Sequence, residues 1–220
     1  MSTPAPQHSA GLRIGFVPGV TLTKWRRIWS ERFARVPLEV VEVAEAEQRD
    51  GLDRGELDMC FVRLPVDRDD LHAIPLYDEQ PVVWMSKDFL LAALDEVTAQ
   101  DLAEVRVVED YGPDSIDLAV YAAAALRVPL SVARTESRKD MVHRPVIDAD
   151  PTTIALAWRT DTQNPWIDEF IGVVRGRTAN SSRTTREREA SAKPAKQRPA
   201  RPAQRQAPGG RRPRRPRRSR

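Results

Sequence analysis

Gly55-Glu56-Leu57-Asp58-Met59-Cys60-Phe61-Val62-Arg63-Leu64-Pro65 is the stretch that decides the reading of this chain. Gly-Glu-Leu-Asp is a polar turn and Met-Cys-Phe-Val an apolar run of strand length, so a turn or helix end feeds a buried strand. Pro65 has no N–H to give a ladder, and the chain must leave the sheet there. Ligands of open α/β sheets gather at the carboxyl ends of strands. Arg63 therefore stands where a fixed cation would meet an anionic ligand. The plainer alternative is a solvated arginine at a strand end.

Upstream, residues 12–17 (LRIGFV) alternate as a strand and break at Pro18-Gly19. Residues 22–36 carry Leu22, Trp25, Trp29 and Phe33 near helical spacing, with Thr21 or Thr23 as candidate cap. A strand, a Pro-Gly loop and a helix N-terminus present free N–H groups to an anion, or make an ordinary βα connection. Residues 37–43 read as a second strand and 44–54 as a charged surface helix. The β-α-β-α-β order implies parallel strands with crossover helices.

Downstream, strands are expected over 71–77 and 82–85, the second opening a new unit. A helix over 87–94, a capped turn over 98–102 and a strand over 105–109 follow. The Ala-rich residues 114–126 predict one buried helix capped by Asp114 or Ser115. Strands are expected over 128–131, 140–147 and 152–158. Residues 165–174 predict a helix with Pro165 first and Trp166, Phe170, Ile171 and Val174 on one face.

Charge divides the 220 residues sharply. Residues 175–220 hold 17 Lys/Arg against 2 Asp/Glu, leaving 18 basic and 30 acidic residues in 1–174. The overall +3 thus hides a body of −12 and a tail of +15. The tail is Arg, Pro, Ser, Ala and Gln, too poor in apolar groups to offset its ordering entropy, and disorder is expected over 178–220 as over 1–11. Cys60, the single cysteine, cannot form an intramolecular disulfide and reads as a small core hydrophobe, in keeping with a reducing cytoplasm. No apolar run reaches membrane-spanning length, and the N-terminus lacks the basic and apolar regions of a signal peptide.

These motifs resemble the effector-binding domain of LysR-type transcriptional regulators, similar to type 2 periplasmic binding proteins. Leu52-Asp53-Arg54-Gly55-Glu56-Leu57-Asp58-Met59 looks like the family's L-x-x-G-x-L-D signature and is the most specific match. Leu76-Tyr77-Asp78-Glu79 with Val82-Val83, Thr98 to Leu102, Pro129 to Arg134 and Ile154 to Trp158 also fit. Residues 170–182 look like the C-terminus of an actinobacterial subgroup.

The resemblance implies an α/β fold of two Rossmann-like lobes joined by two crossover strands, residues 12–81 with 150–177 and residues 82–149. It implies a small organic effector in the cleft, no cofactor, and a homodimer or pairing with LysR-type relatives. It places Pro18, Gly19, Val20, Thr21, Arg63, Leu64, Pro65, Ser86, Ser115, Pro129 and Ser131 around that cleft.

Three departures qualify the match. Eleven residues precede the first strand, so a chain without the family's helix-turn-helix is expected. The second lobe is short between Val105 and Ser115. Ala122-Ala123-Ala124 stands where the family has Gly-x-Gly, and Arg127 interrupts an apolar strand, which suggests an altered second half of the pocket.

Among function classes, catalysis has little support. His8, His72 and His143 lack ligand spacing, and no P-loop, nucleophile elbow or zinc pattern occurs. A cleft for a small, anionic metabolite acting in transcriptional regulation leads. Its rival is a nucleic-acid or protein-interaction module working through the tail, where Arg211, Arg212, Arg214, Arg215, Arg217 and Arg218 would hold phosphates without sequence preference.

Overall fold

In a computed structural model, the structure describes residues 11–177. The residues expected to be disordered, including all six tail arginines, lie outside the described residues, apart from Gly11.

The first lobe is a sheet of five strands in the order β2-β1-β3-β9-β4: β1 (Leu12–Phe16), β2 (Leu38–Glu42), β3 (Met59–Arg63), β4 (Leu71–Glu79) and β9 (Thr152–Arg159). β1 pairs parallel with β2 and β3, and β9 runs antiparallel between β3 and β4. The second lobe has four strands in the order β6-β7-β5-β8: β5 (Pro81–Ser86), β6 (Val107–Val108), β7 (Ala125–Pro129) and β8 (Met141–Pro145). The chain crosses between sheets at Gln80 and again between β8 and β9.

β3 is buried at every position because both faces of its sheet are covered. Its side chains alternate. Met59 and Phe61 enter a core with Trp29, Phe170 and Ile171, whereas Cys60 and Val62 pack with Leu52, Leu57 and Ala155. The first core lies beneath α1 (Thr23–Arg32) and α6 (Trp166–Val174), where Trp25 stacks on Phe61 at 4.9 Å. β5 divides likewise: Val82 and Trp84 face α4 (Pro113–Val120) and α5 (Leu130–Thr135), and Val83 and Met85 face Leu91, Val97 and Leu102.

Several expected elements take other bounds. The helix expected over 22–36 is α1, Thr23–Arg32, and Phe33 leaves the helical region at φ −126 with its N–H still bonded to the Trp29 carbonyl. The Trp29 indole N–H then donates to the Val36 carbonyl at 3.0 Å. Neither threonine caps α1; its N-cap is Leu22, with no side-chain cap. The expected helix over 44–54 is a 3-10 turn, Glu45–Glu47, followed by the single turn α2 (Asp50–Asp53). Residues 87–94 form only a 3-10 turn, Leu90–Ala93. The capped turn at 98–102 is α3 (Ala99–Ala103), with Thr98 and Asp101 in a reciprocal capping box.

The largest departure is at 114–126, which divides into α4 and β7. Ala122 takes φ +54, the Ala123 N–H donates to Leu118 O at 2.9 Å and the Ala122 N–H to Ala119 O at 3.1 Å. That is a Schellman termination with alanine where glycine is usual. Neither Asp114 nor Ser115 caps α4: the N-cap is Gly112 with Pro113 behind it. The expected strand over 128–131 therefore ends at Pro129, and Leu130 opens α5.

Candidate functional site

Three parallel strands deliver their carboxyl ends to one edge of the first lobe. Gly19 follows β1 with φ +89, and a Cβ there would stand 2.4 Å from Ser131 Oγ. Glycine is what lets the β1–α1 loop and the first turn of α5 approach this closely. The Ser131 hydroxyl donates to Glu79 Oε1, and the Arg63 Nε–H donates to Glu79 Oε2 at 2.8 Å. Arg63 also pairs with Glu45 and donates from Nη2 to the Pro18 carbonyl at 3.0 Å. The Gln48 amide bonds both backbone groups of Arg63, at 2.7 and 3.1 Å, which fixes the strand end. From the second lobe, the Tyr111 hydroxyl donates to Glu45 Oε2 at 2.9 Å.

A chain of hydrogen bonds thus runs from Tyr111 through Glu45, Arg63 and Glu79 to Ser131, starting and ending in the second lobe. Burial disfavours the charged guanidinium of Arg63, but the hydrogen bond to Glu79 and the charges of Glu79 and Glu45 outweigh it and raise its pKa. Burial, then the Glu45 carboxylate, pushes the Tyr111 phenol upward, so it remains a donor.

Above this chain lies a cavity of about 990 Å³. Pro18, Glu42, Glu45 and Gln48 line it from the first lobe, and Asp110, Tyr111, Ile116 and Glu136 from the second. A recess of about 270 Å³ beside it reaches Arg63, Arg127 and Pro129, and another of about 230 Å³ reaches Gly19, Val20, Thr21 and Arg26.

The residues singled out from sequence therefore divide. Pro18, Gly19, Val20, Thr21, Arg63, Pro129 and Ser131 come together between the lobes. Arg63 is there as the buried partner of two carboxylates rather than as an open cation. Leu64 packs with the Leu52–Val62 cluster, and exposed Pro65 does not line the cavity. Ser86 ends β5 five residues from Pro81, about 17 Å along the strand. It is buried, and its Oγ accepts the Asp88 N–H at 3.3 Å. Ser115 is buried too and donates to Asp110 Oδ2 at 2.8 Å, steadying the loop that lines the cavity.

Sequence reasoning passed over Glu45, Gln48 and Tyr111. The aromatic of Glu-Asp-Tyr-Gly-Pro, just ahead of a proline-started helix, was the available signal for Tyr111. Among the described residues no group of three or more His, Cys, Asp or Glu is placed to hold a metal, and no helix is long and apolar enough to cross a membrane.

Two lobes on separate sheets with a cavity between them define a fold of the type 2 periplasmic-binding kind. The family model described as LysR substrate binding domain matches residues 6–135, and the chain belongs to that family. A curated relative, the Hca operon transcriptional activator HcaR of Escherichia coli (strain K12), is 25% identical over 207 residues, covering 79% of this chain and 70% of its own. Among solved structures, the reduced form of the OxyR regulatory domain from Pseudomonas aeruginosa superposes with a TM-score of 0.60 at 21% identity, covering 77% of this chain and 99% of that one. The BenM effector binding domain with its effector benzoate superposes with a TM-score of 0.62 at 17% identity, covering 86% and 97%.

Proposed function

We propose that this chain binds a small organic effector between its two lobes and conveys that occupancy to transcription. The observation carrying the reading is the cavity of about 990 Å³ bounded by both lobes. Its size suits a metabolite-sized ligand. An effector touching both walls favours the closed arrangement by its differential affinity for it, which is how occupancy becomes a conformational signal. Lobe boundaries at 12–81 with 150–177 and at 82–149 belong to this proposal, as does pairing with a second copy or with LysR-type relatives. Binding rather than catalysis is its chemistry, exerted in the cytoplasm where transcription occurs.

Thermal unfolding of the full chain against a panel of small organic molecules tests the proposal. A ligand of the native state at a hundredfold excess over its Kd stabilises by about 2.7 kcal/mol. A shift reduced by Tyr111→Ala supports the cleft as its seat; no shift with any member overturns the effector reading.

A second reading rests on the tail. Arg211, Arg212, Arg214, Arg215, Arg217 and Arg218 are interleaved with proline, and residues 175–220 carry +15. We propose sequence-independent phosphate binding there. Six phosphate contacts on duplex DNA predict a slope of about −5 in log K against log salt. DNA binding that survives deletion of residues 178–220 overturns it.

A further inference from the structure

We infer that the effector of this cleft is an organic cation, such as an amine, amidine or quaternary ammonium on an apolar body. This deepens, and rests on, the effector-binding reading above. The site is the interlobe cavity itself, and the charges facing it determine only the sign of its ligand.

The described residues lining the large cavity include Glu42, Glu45, Glu109, Asp110 and Glu136, and no lysine, arginine or histidine. Arg63, the cation that sequence reading offered to an anion, is already taken by Glu79 and Glu45. A ligand carboxylate would have to displace Glu45 and still meet the remaining acidic wall. Arg127, in the adjoining recess, lies 3.5 Å from Glu109. Arg26 faces the other recess, together with Glu42 and Glu136.

Beside the α4 N-terminus a carboxylate already stands: Asp110 accepts the Gly112 N–H at 3.2 Å and the Ser115 hydroxyl at 2.8 Å. Glu42 and Glu136, one from each lobe, have no cation within ion-pairing distance among the described residues. Glu136 also follows the last residue of α5, at the negative end of a helix, where a carboxylate is unfavourable. Two like charges converging on one cavity from opposite lobes repel, and closure around a cation relieves that repulsion. Tyr111, Val43 and Ile116 give the same cavity aromatic and apolar surface for the body of such a ligand.

The experiment uses the full chain, uniformly 15N-labelled, titrated with benzamidine and benzyltrimethylammonium and with their anionic counterparts benzoate and phenylacetate. Readout at individual amides separates the cleft from the tail, whose arginines attract anions. Paramagnetic relaxation by amino-proxyl and carboxy-proxyl reports the sign of the local potential without requiring a fitting ligand. The expected result is stronger relaxation of the Val43, Tyr111 and Gly112 amides by the cationic nitroxide, and shifts there with the cations. Glu42→Gln with Glu136→Gln should weaken that binding about five- to tenfold, for two charges lost at solvent-exposed positions. Stronger relaxation by the anionic nitroxide, or cleft shifts with the anions instead, overturns the inference while leaving an effector site in place. Silence at the cleft with a broad panel of both signs removes the effector reading and this one with it.

Discussion

Arg63 donates from Nε to Glu79 Oε2 at 2.8 Å, and the two side chains are only 2% and 3% exposed. A buried ion pair gives little net stability, but removing one partner strands the other charge, at about 3–5 kcal/mol. Arg63→Ala and Glu79→Ala should each lose that amount in urea unfolding, and Arg63→Met with Glu79→Leu should lose much less than their sum. Single losses below about 1 kcal/mol would place the pair in the solvated class and contradict this account. Glu45, at 37% exposed, is screened by solvent, and Glu45→Gln should cost little.

Gly19 and Gly55 both have positive φ, +89 and +67, but only Gly19 faces a neighbour. At Gly55 a Cβ meets nothing within 4 Å, so Gly55→Ala should cost only the left-handed strain, about 1–2 kcal/mol. Gly19→Ala adds a clash with Ser131 and should destabilise more, moving the amide shifts of Ser131 and Val132. Equal costs for the two variants would show that the loop and α5 separate freely.

Ala122 pays the same left-handed strain at the end of α4. Ala122→Gly should raise stability by about 1 kcal/mol, with no change in the amide shifts of the cavity residues. A loss of stability would mean that the Schellman turn is not the solution conformation.

Burial pushes the Cys60 thiol up from 9.0 to about 12. The folded state therefore holds its proton more tightly than the unfolded state. The stability from the neutral buried thiol is complete below about pH 9 and is lost as pH rises toward 12. At pH 8 a thiol reagent should react only as fast as the chain opens. Rapid stoichiometric labelling of the native protein would refute this burial.

Legibility followed the range of the forces. Met59–Val62 could be recognised as a strand because an alternating, doubly covered strand leaves an unbroken apolar run in sequence. The Thr98–Asp101 cap was equally readable, since both partners lie within one turn. The end of α4 was hidden, because its left-handed residue is alanine and sends no glycine signal. The expected cap at Ser115 failed because the helix opens at Pro113, which puts Ser115 inside its first turn.

The amino-acid sequence by itself determined the alternating α/β order of the first strands, the signature around Gly55 whose family resemblance implied two lobes, and the contrast between acidic body and basic tail, which rest on local pattern and composition. Only the tertiary structure decided what Arg63 does. Its partners Glu45 and Glu79 lie 18 and 16 residues away in the chain, and Tyr111, which bonds Glu45, is 66 residues from that glutamate. A charge expresses its sign to a ligand only after its neighbours have been counted, and folding alone brings these neighbours within a few ångströms.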